Sequence, residues 1–101
     1  MSGPRTRIIH PNADHDLINL LERSCDVWGE RQALIYARLI DKALETITAF
    51  PQIGQRRDDL NPGLRTHPVG HHLILYEERE RAIVVLRIVD QRKRLDDLAF
   101  E

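Results

Sequence analysis

The clearest pattern in the chain is a stripe of apolar positions between Glu30 and Phe50. Ala33, Tyr36, Ala37, Ile40, Ala43, Leu44 and Ile47 recur there at steps of three and four on a polar background. That spacing lines one face of a helix, and Pro51, which has no amide proton to give, marks its end. A looser stripe precedes it, made of Ala13, Leu17, Leu20, Leu21, Val27 and Trp28 and closed by Gly29. Asn12 is the expected N-cap of this first helix, because its side chain can accept from an amide that the first turn leaves unpaired. Two helices joined through a glycine cannot leave either stripe wet, so an antiparallel hairpin is expected. Trp28 and Tyr36 are expected to pack in its core and turn.

Outside the hairpin the pattern changes from helical to strand-like. Thr6 to His10 is short and β-branched and is ended by Pro11-Asn12. After a polar loop from Gln52 to Gly63 come three further runs, Leu64 to Val69, His72 to Glu77 and Ala82 to Asp90. The breaks between them are Gly70-His71 and the charged stretch Glu78 to Arg81. Ile83 to Leu86 is apolar without interruption, which predicts a central strand covered on both faces. Pro68 places its own strand at an edge or makes it irregular. The predicted class is α+β, in the order β-α-α-β-β-β, with residues 1–101 forming a single domain.

Composition narrows the function classes. With 42% apolar and 31% charged residues the chain suits a soluble globular protein, and no window nears the roughly 18 apolar residues of a membrane span. Met1 to Thr6 carries Arg5 but no apolar run behind it, so no cleaved secretory signal is expected and the expected location is cytoplasmic. The single cysteine, Cys25, reads as a small helix residue in a reducing compartment. A net charge of -1 argues against direct nucleic-acid binding, which draws most of its affinity from neutralised phosphates.

At this point the residues resemble a known family. Trp28-Gly29 followed by Gln32-Ala33 and Tyr36, then Phe50-Pro51-Gln52-Ile53-Gly54, then Asp59-Leu60 with Pro62-Gly63-Leu64-Arg65, and the strand pair containing Tyr76 and Arg87 together resemble the ParE toxins of the RelE/ParE superfamily. The resemblance implies a helical hairpin on a twisted, mainly antiparallel sheet. It also implies a type II toxin-antitoxin system serving plasmid or chromosome stabilisation. A cognate antitoxin would wrap the toxin with an extended segment, and DNA gyrase would be the target. Nucleic acid would be reached only through the antitoxin complex.

The RelE branch of the same superfamily cleaves mRNA on the ribosome, and such chemistry needs a proton carrier beside its cations. Here the last strand runs into Asp90, Gln91, Arg92, Lys93, Arg94 and Leu95, and neither Tyr nor His follows to the end of the chain. That departure favours a binding toxin, with no catalytic residue, metal or cofactor expected, over an endoribonuclease. His67, His71 and His72 form the cluster that could still serve a base or a metal. Adjacent strand residues face opposite ways, so His71 and His72 are not expected to share an ion.

Arg65 and Arg87 sit in apolar strand contexts, where a cation must be paired or point into a polar groove. One reading pairs them with Asp58, Asp59 or Asp90. The other makes them part of a basic concave surface, joined by the tail residues Arg92, Lys93 and Arg94, whose charge Asp96, Asp97 and Glu101 offset. Arg65, Arg87, Arg92, Lys93 and Arg94 are therefore the candidate target contacts. Leu34, Ile35 and Leu39 lie off the main stripe of helix two and, with Arg57 and Arg65, are the candidate antitoxin contacts.

Overall fold

In the computed structural model, which describes residues 5–98, both stripes are helices: α1 spans Pro11–Trp28 and α2 spans Glu30–Ala49. Residues 1–4 of the N-terminal stretch and the acidic Glu101 lie outside the described residues. The first helix is capped two residues earlier than expected. His10, not Asn12, is the N-cap, and its Nδ1 accepts the Asn12 amide at 3.0 Å. Pro11 at the first helical position explains the shift, since its fixed φ suits a helix start and its missing N–H would have no partner there. Gly29 closes α1 and opens α2 at φ 92°, a left-handed conformation that a side chain would strain.

Five strands follow the expected runs, with one addition. They are β1 (Thr6–Ile9), β2 (Gln55–Arg56), β3 (Leu64–Val69), β4 (His72–Arg79) and β5 (Ala82–Asp90), ordered β1-β5-β4-β3-β2 across one sheet. β1 lies parallel to β5 and every other pair is antiparallel. β2 is only two residues long, pairing Gln55 with Thr66 and Arg56 with Arg65, too short to leave a periodicity in the sequence. Because β2 stops there, Pro68 sits where β3 has become the edge of the sheet, as its missing donor requires.

β5 lies between β1 and β4, and its apolar run is buried on both faces. On one face Ile74, Tyr76, Ile83, Val85 and Ile88 meet Ala13, Ile40, Leu44 and Ile47 of the hairpin. On the other, Leu64, Leu75, Val84, Leu86 and Val89 are covered by Leu60, Leu73, Leu95 and Leu98. The described residues after β5 thus fold back over the sheet through a 3-10 turn, Leu95–Asp97, with Leu95 and Leu98 partly buried and the polar and charged side chains facing water. The register shifts between Leu75 and Tyr76, which face Arg87 and Val85 respectively, so Leu86 is the extra residue of a β-bulge.

A buried tyrosine ties the loop after α2 to the sheet. The Tyr76 hydroxyl donates to the Pro51 carbonyl at 2.7 Å and accepts the Gly54 amide at 2.9 Å. A Cβ on residue 54 would lie 2.5 Å from that hydroxyl. Gly54 is therefore required by close approach and not by a left-handed backbone; its φ is an ordinary -70°.

Candidate functional site

Two surfaces stand out, a groove with charged residues in its lining at the hairpin tip and an apolar flank of α2. The groove opens between the last turns of α1, the start of α2 and the end of β5, with a volume of about 910 Å³. It exists because β1 ends opposite Val85, so the remainder of β5 has no strand on its β1 side. Asp16 of α1 takes the place of that strand. Its carboxylate accepts the Ile88 amide at 3.0 Å and both Nε and Nη2 of Arg87, at 2.7 and 3.0 Å.

The second wall of the groove is held by Tyr36. From α2 its hydroxyl meets Nδ1 of His72 at 2.6 Å and the Val69 carbonyl at 3.2 Å, and accepts the His71 amide at 3.1 Å. Its ring packs over Gly70, where a Cβ would lie 2.5 Å away. Gly70 has φ 55° and no described non-glycine residue has a positive φ, the combination of a type II′ hairpin turn. His71 belongs to this turn and not to a strand, so the alternation argument does not separate it from His72, and both histidines line the groove. Among the described residues no three His, Cys, Asp or Glu side chains converge as a metal site.

Trp28 corrects another expectation, since it is 73% exposed and lines the groove. It lies on the apolar stripe of α1, but at the hairpin tip, where no strand lies beneath it. Val27 is exposed there for the same reason. The charged residues of the lining are Arg23, Arg87, Arg92 and Lys93 against Asp16 and Asp90. Arg87 is bound to Asp16 and Arg92 to Asp90, whereas neither Arg23 nor Lys93 pairs with a carboxylate of a described residue. The Arg92 side chain and amide hold the Asp90 carboxyl down at about 2.

The candidate target contacts are thus split. Arg87, Arg92 and Lys93 share the groove, while Arg94 faces Asp96 beyond it. Arg65 lies elsewhere, its Nη1 donating to the Gly54 carbonyl at 2.8 Å and the Gln52 carbonyl at 3.4 Å. None of the carboxylates expected to pair with Arg65 or Arg87 does so. Asp58 is taken by Arg56, Asp59 by Arg57 and Asp90 by Arg92, each two residues away along the chain. Short local pairs form without a tertiary fold, whereas Asp16 reaches Arg87 only once α1 is docked.

Leu34, Ile35 and Leu39 are all about half exposed. Ile35 and Leu39 stand one turn apart on one side of α2, and Phe50 (66% exposed) is the residue that caps the helix end. Leu34 is turned about 100° from Ile35 around the helix and does not share their face. Arg57 and Arg65 lie past the end of α2, where the Arg57 amide donates to the Leu64 carbonyl. Asp16 and Arg23 are groove residues that sequence reasoning missed, and it named His72 without its partner Tyr36. Trp28 left a signal too, as a large aromatic at the last position before the glycine turn.

Burial holds His72 below its ordinary value of 6.5, Asp90 opposing, and burial lowers His67 too. The unfolded chain therefore binds protons that the folded one refuses. Stability is expected to be full above about pH 7 and to decline as the pH falls through the ordinary imidazole range. Thermal melts between about pH 8 and 5.5 check this, and His72→Gln should flatten part of the slope. Asp90 acts in a separate and lower window, between its ordinary 3.8 and about 2.

Comparison with known proteins fits this architecture. The family described as "ParE toxin of type II toxin-antitoxin system, parDE" matches residues 7–95. Toxin ParE3 of Caulobacter vibrioides is 35% identical over 80 residues, covering 79% of this chain and 80% of its own. Toxin ParE1 of Mycobacterium tuberculosis is 32% identical over 90 residues, covering 88% and 92%. A chain from the structure titled "Chromosomal ParDE TA system from P. aeruginosa" shares the fold with TM-score 0.75 at 19% identity, over 86% of this chain and 96% of that one. With the hairpin, the mixed sheet and the Tyr76 lock all in place within the matched span, the chain belongs to the ParE toxin family of type II toxin-antitoxin systems.

Proposed function

We propose that this toxin inhibits DNA gyrase by binding it, without catalysis of its own, and is neutralised by a cognate antitoxin. The observation that carries the antitoxin half is the exposed apolar flank Ile35, Leu39 and Phe50 on a chain of the ParE family. Such a flank suits the apolar face of an amphipathic helix. An acidic stretch following that helix would reach Arg57 and Arg65, just past the end of α2. Leu34 would contribute at the opposite rim. The P. aeruginosa chain with this fold comes from a ParDE system, which supports a ParD-type partner here. The gyrase half is supported by kinship to proteins named ParE toxins, with Arg87, Arg92, Lys93 and Arg94 as the contacts.

A second reading, ribosome-dependent mRNA cleavage, has one observation in its favour: His71 and His72 share a groove with Arg23, Arg92 and Lys93. Against it, His72 Nδ1 is engaged by Tyr36, Arg87 and Arg92 are neutralised by carboxylates, and Arg65 is elsewhere. A supercoiling and cleavage assay on gyrase, run beside an mRNA cleavage assay on translating ribosomes, separates the two. Gyrase-linked DNA breaks relieved by antitoxin, with intact message, are the expected result. Message cleavage with undisturbed gyrase would move the protein to the ribonuclease branch.

For the antitoxin flank, the double substitution Ile35→Glu and Leu39→Glu should weaken antitoxin binding on the order of a hundredfold. The melting temperature should stay nearly unchanged, because both side chains are already half in water. Equal antitoxin affinity in a titration would remove the flank from the interface.

A further inference from the structure

The groove at the hairpin tip is unused by the antitoxin surface proposed above, since none of Ile35, Leu39 and Phe50 lines it. Its chemistry differs as well. Four cationic side chains stand against two carboxylates, leaving a local excess of positive charge on a chain whose net charge is -1. Trp28 lies at its rim with most of its surface in water, beside Arg23 and Lys93, neither of which pairs with a carboxylate of a described residue, and such a surface suits a partner. The floor is already rigid, with Asp16 fixing Arg87 and Tyr36 fixing the Gly70–His71 turn.

We infer that this groove is the seat of an acidic segment of the toxin's protein target, which places an apolar side chain against Trp28 and carboxylates on Arg23 and Lys93. The assignment rests on the reading of the protein as a gyrase-binding toxin. Charge complementarity selects a peptide over nucleic acid. A phosphate backbone needs a run of unpaired cations, whereas Asp16 and Asp90 here neutralise Arg87 and Arg92 and leave room for few anionic groups. Position selects the target over the antitoxin. The groove shares no residue with the apolar flank of α2, and that flank is the one suited to a lasting partner.

The test uses the full chain in three variants, Trp28→Ala, Arg23→Glu with Lys93→Glu, and Arg81→Glu at the distant β4–β5 turn as a control. Each is titrated against purified gyrase and against the antitoxin, with a thermal melt for every variant. Gyrase affinity should fall about tenfold or more for the two groove variants, with antitoxin affinity and melting temperature unchanged and the control like wild type. The double charge reversal should also flatten the salt dependence of gyrase binding. Groove variants that bind gyrase as wild type does overturn the assignment while the function stands. Variants that lose the antitoxin but keep gyrase overturn it by giving the groove to the antitoxin. A wild-type protein that binds no gyrase overturns both, and binding of nucleic acid lost in the same variants replaces the peptide with a phosphate backbone.

Discussion

Replacing Tyr76 with phenylalanine is expected to lower the unfolding free energy by about 2–4 kcal/mol, although the aromatic ring and its packing are kept. Tyr76 is fully buried, and its hydroxyl serves the Gly54 amide and the Pro51 carbonyl at once. Without it both backbone groups stay out of water and unpaired, and each such group costs about 1–3 kcal/mol. For a chain of this size the melting temperature should fall on the order of 10–20 °C. Gly54→Ala should be comparably damaging, because the new methyl would meet the hydroxyl at 2.5 Å and ring carbons at 2.8 and 2.9 Å. The double variant should lose less than the sum, since removing the hydroxyl relieves part of the collision. A denaturant titration of all three proteins decides this, and a Tyr76→Phe protein as stable as wild type would show that water or a relaxed loop satisfies those groups.

Asp16→Ala is expected to cost about 2–3 kcal/mol, an unusual loss for a charged residue on a helix surface. Its carboxylate satisfies the Arg87 guanidinium and the otherwise unpaired Ile88 amide, and the two side chains are only 15% and 19% exposed. Truncation leaves a half-buried cation and an open strand edge; fully buried pairs lose about 3–5 kcal/mol when broken, and residual solvent lowers the figure here. Asp16→Asn should lose about half as much, because an amide oxygen can still accept from Ile88. Arg87→Met should be milder than Asp16→Ala, since it leaves the Ile88 bond intact. If chemical denaturation ranks Arg87→Met as the worse change, the carboxylate is not what seals the edge of β5. Loss of Asp16 should also loosen the groove, so gyrase binding and stability are expected to fall together in this variant, unlike in Trp28→Ala.

These two sites show where sequence reading reaches and where it stops. The helices were legible because seven apolar positions of α2 repeat with the period of the helix, and that period survives whatever the helix packs on. The strands were legible from β-branched runs cut by Gly70-His71 and by the charged turn before Ala82. Burial of Ile83 to Leu86 on both faces followed from an unbroken apolar run. The ion pairs were not legible. Asp16 and Arg87 are 71 residues apart, and several closer carboxylates competed for the arginine on paper. Asp58, Asp59 and Asp90 instead hold arginines two positions away, where chain geometry alone brings the charges together.

The same division holds for the whole molecule. Local periodicity and turn chemistry, which depend only on neighbours along the chain, determined the helices, the four longer strands and their order, and the motifs carried the resemblance to the family. Which side chains meet at a surface depends on how those elements pack. Docking α1 along the unpaired edge of β5 brought Asp16, Trp28, Arg92 and Lys93 to one groove and left Arg65 outside it. It left Trp28 in water although its helical stripe predicts burial, because a stripe records which way a residue faces and not whether anything lies there to cover it.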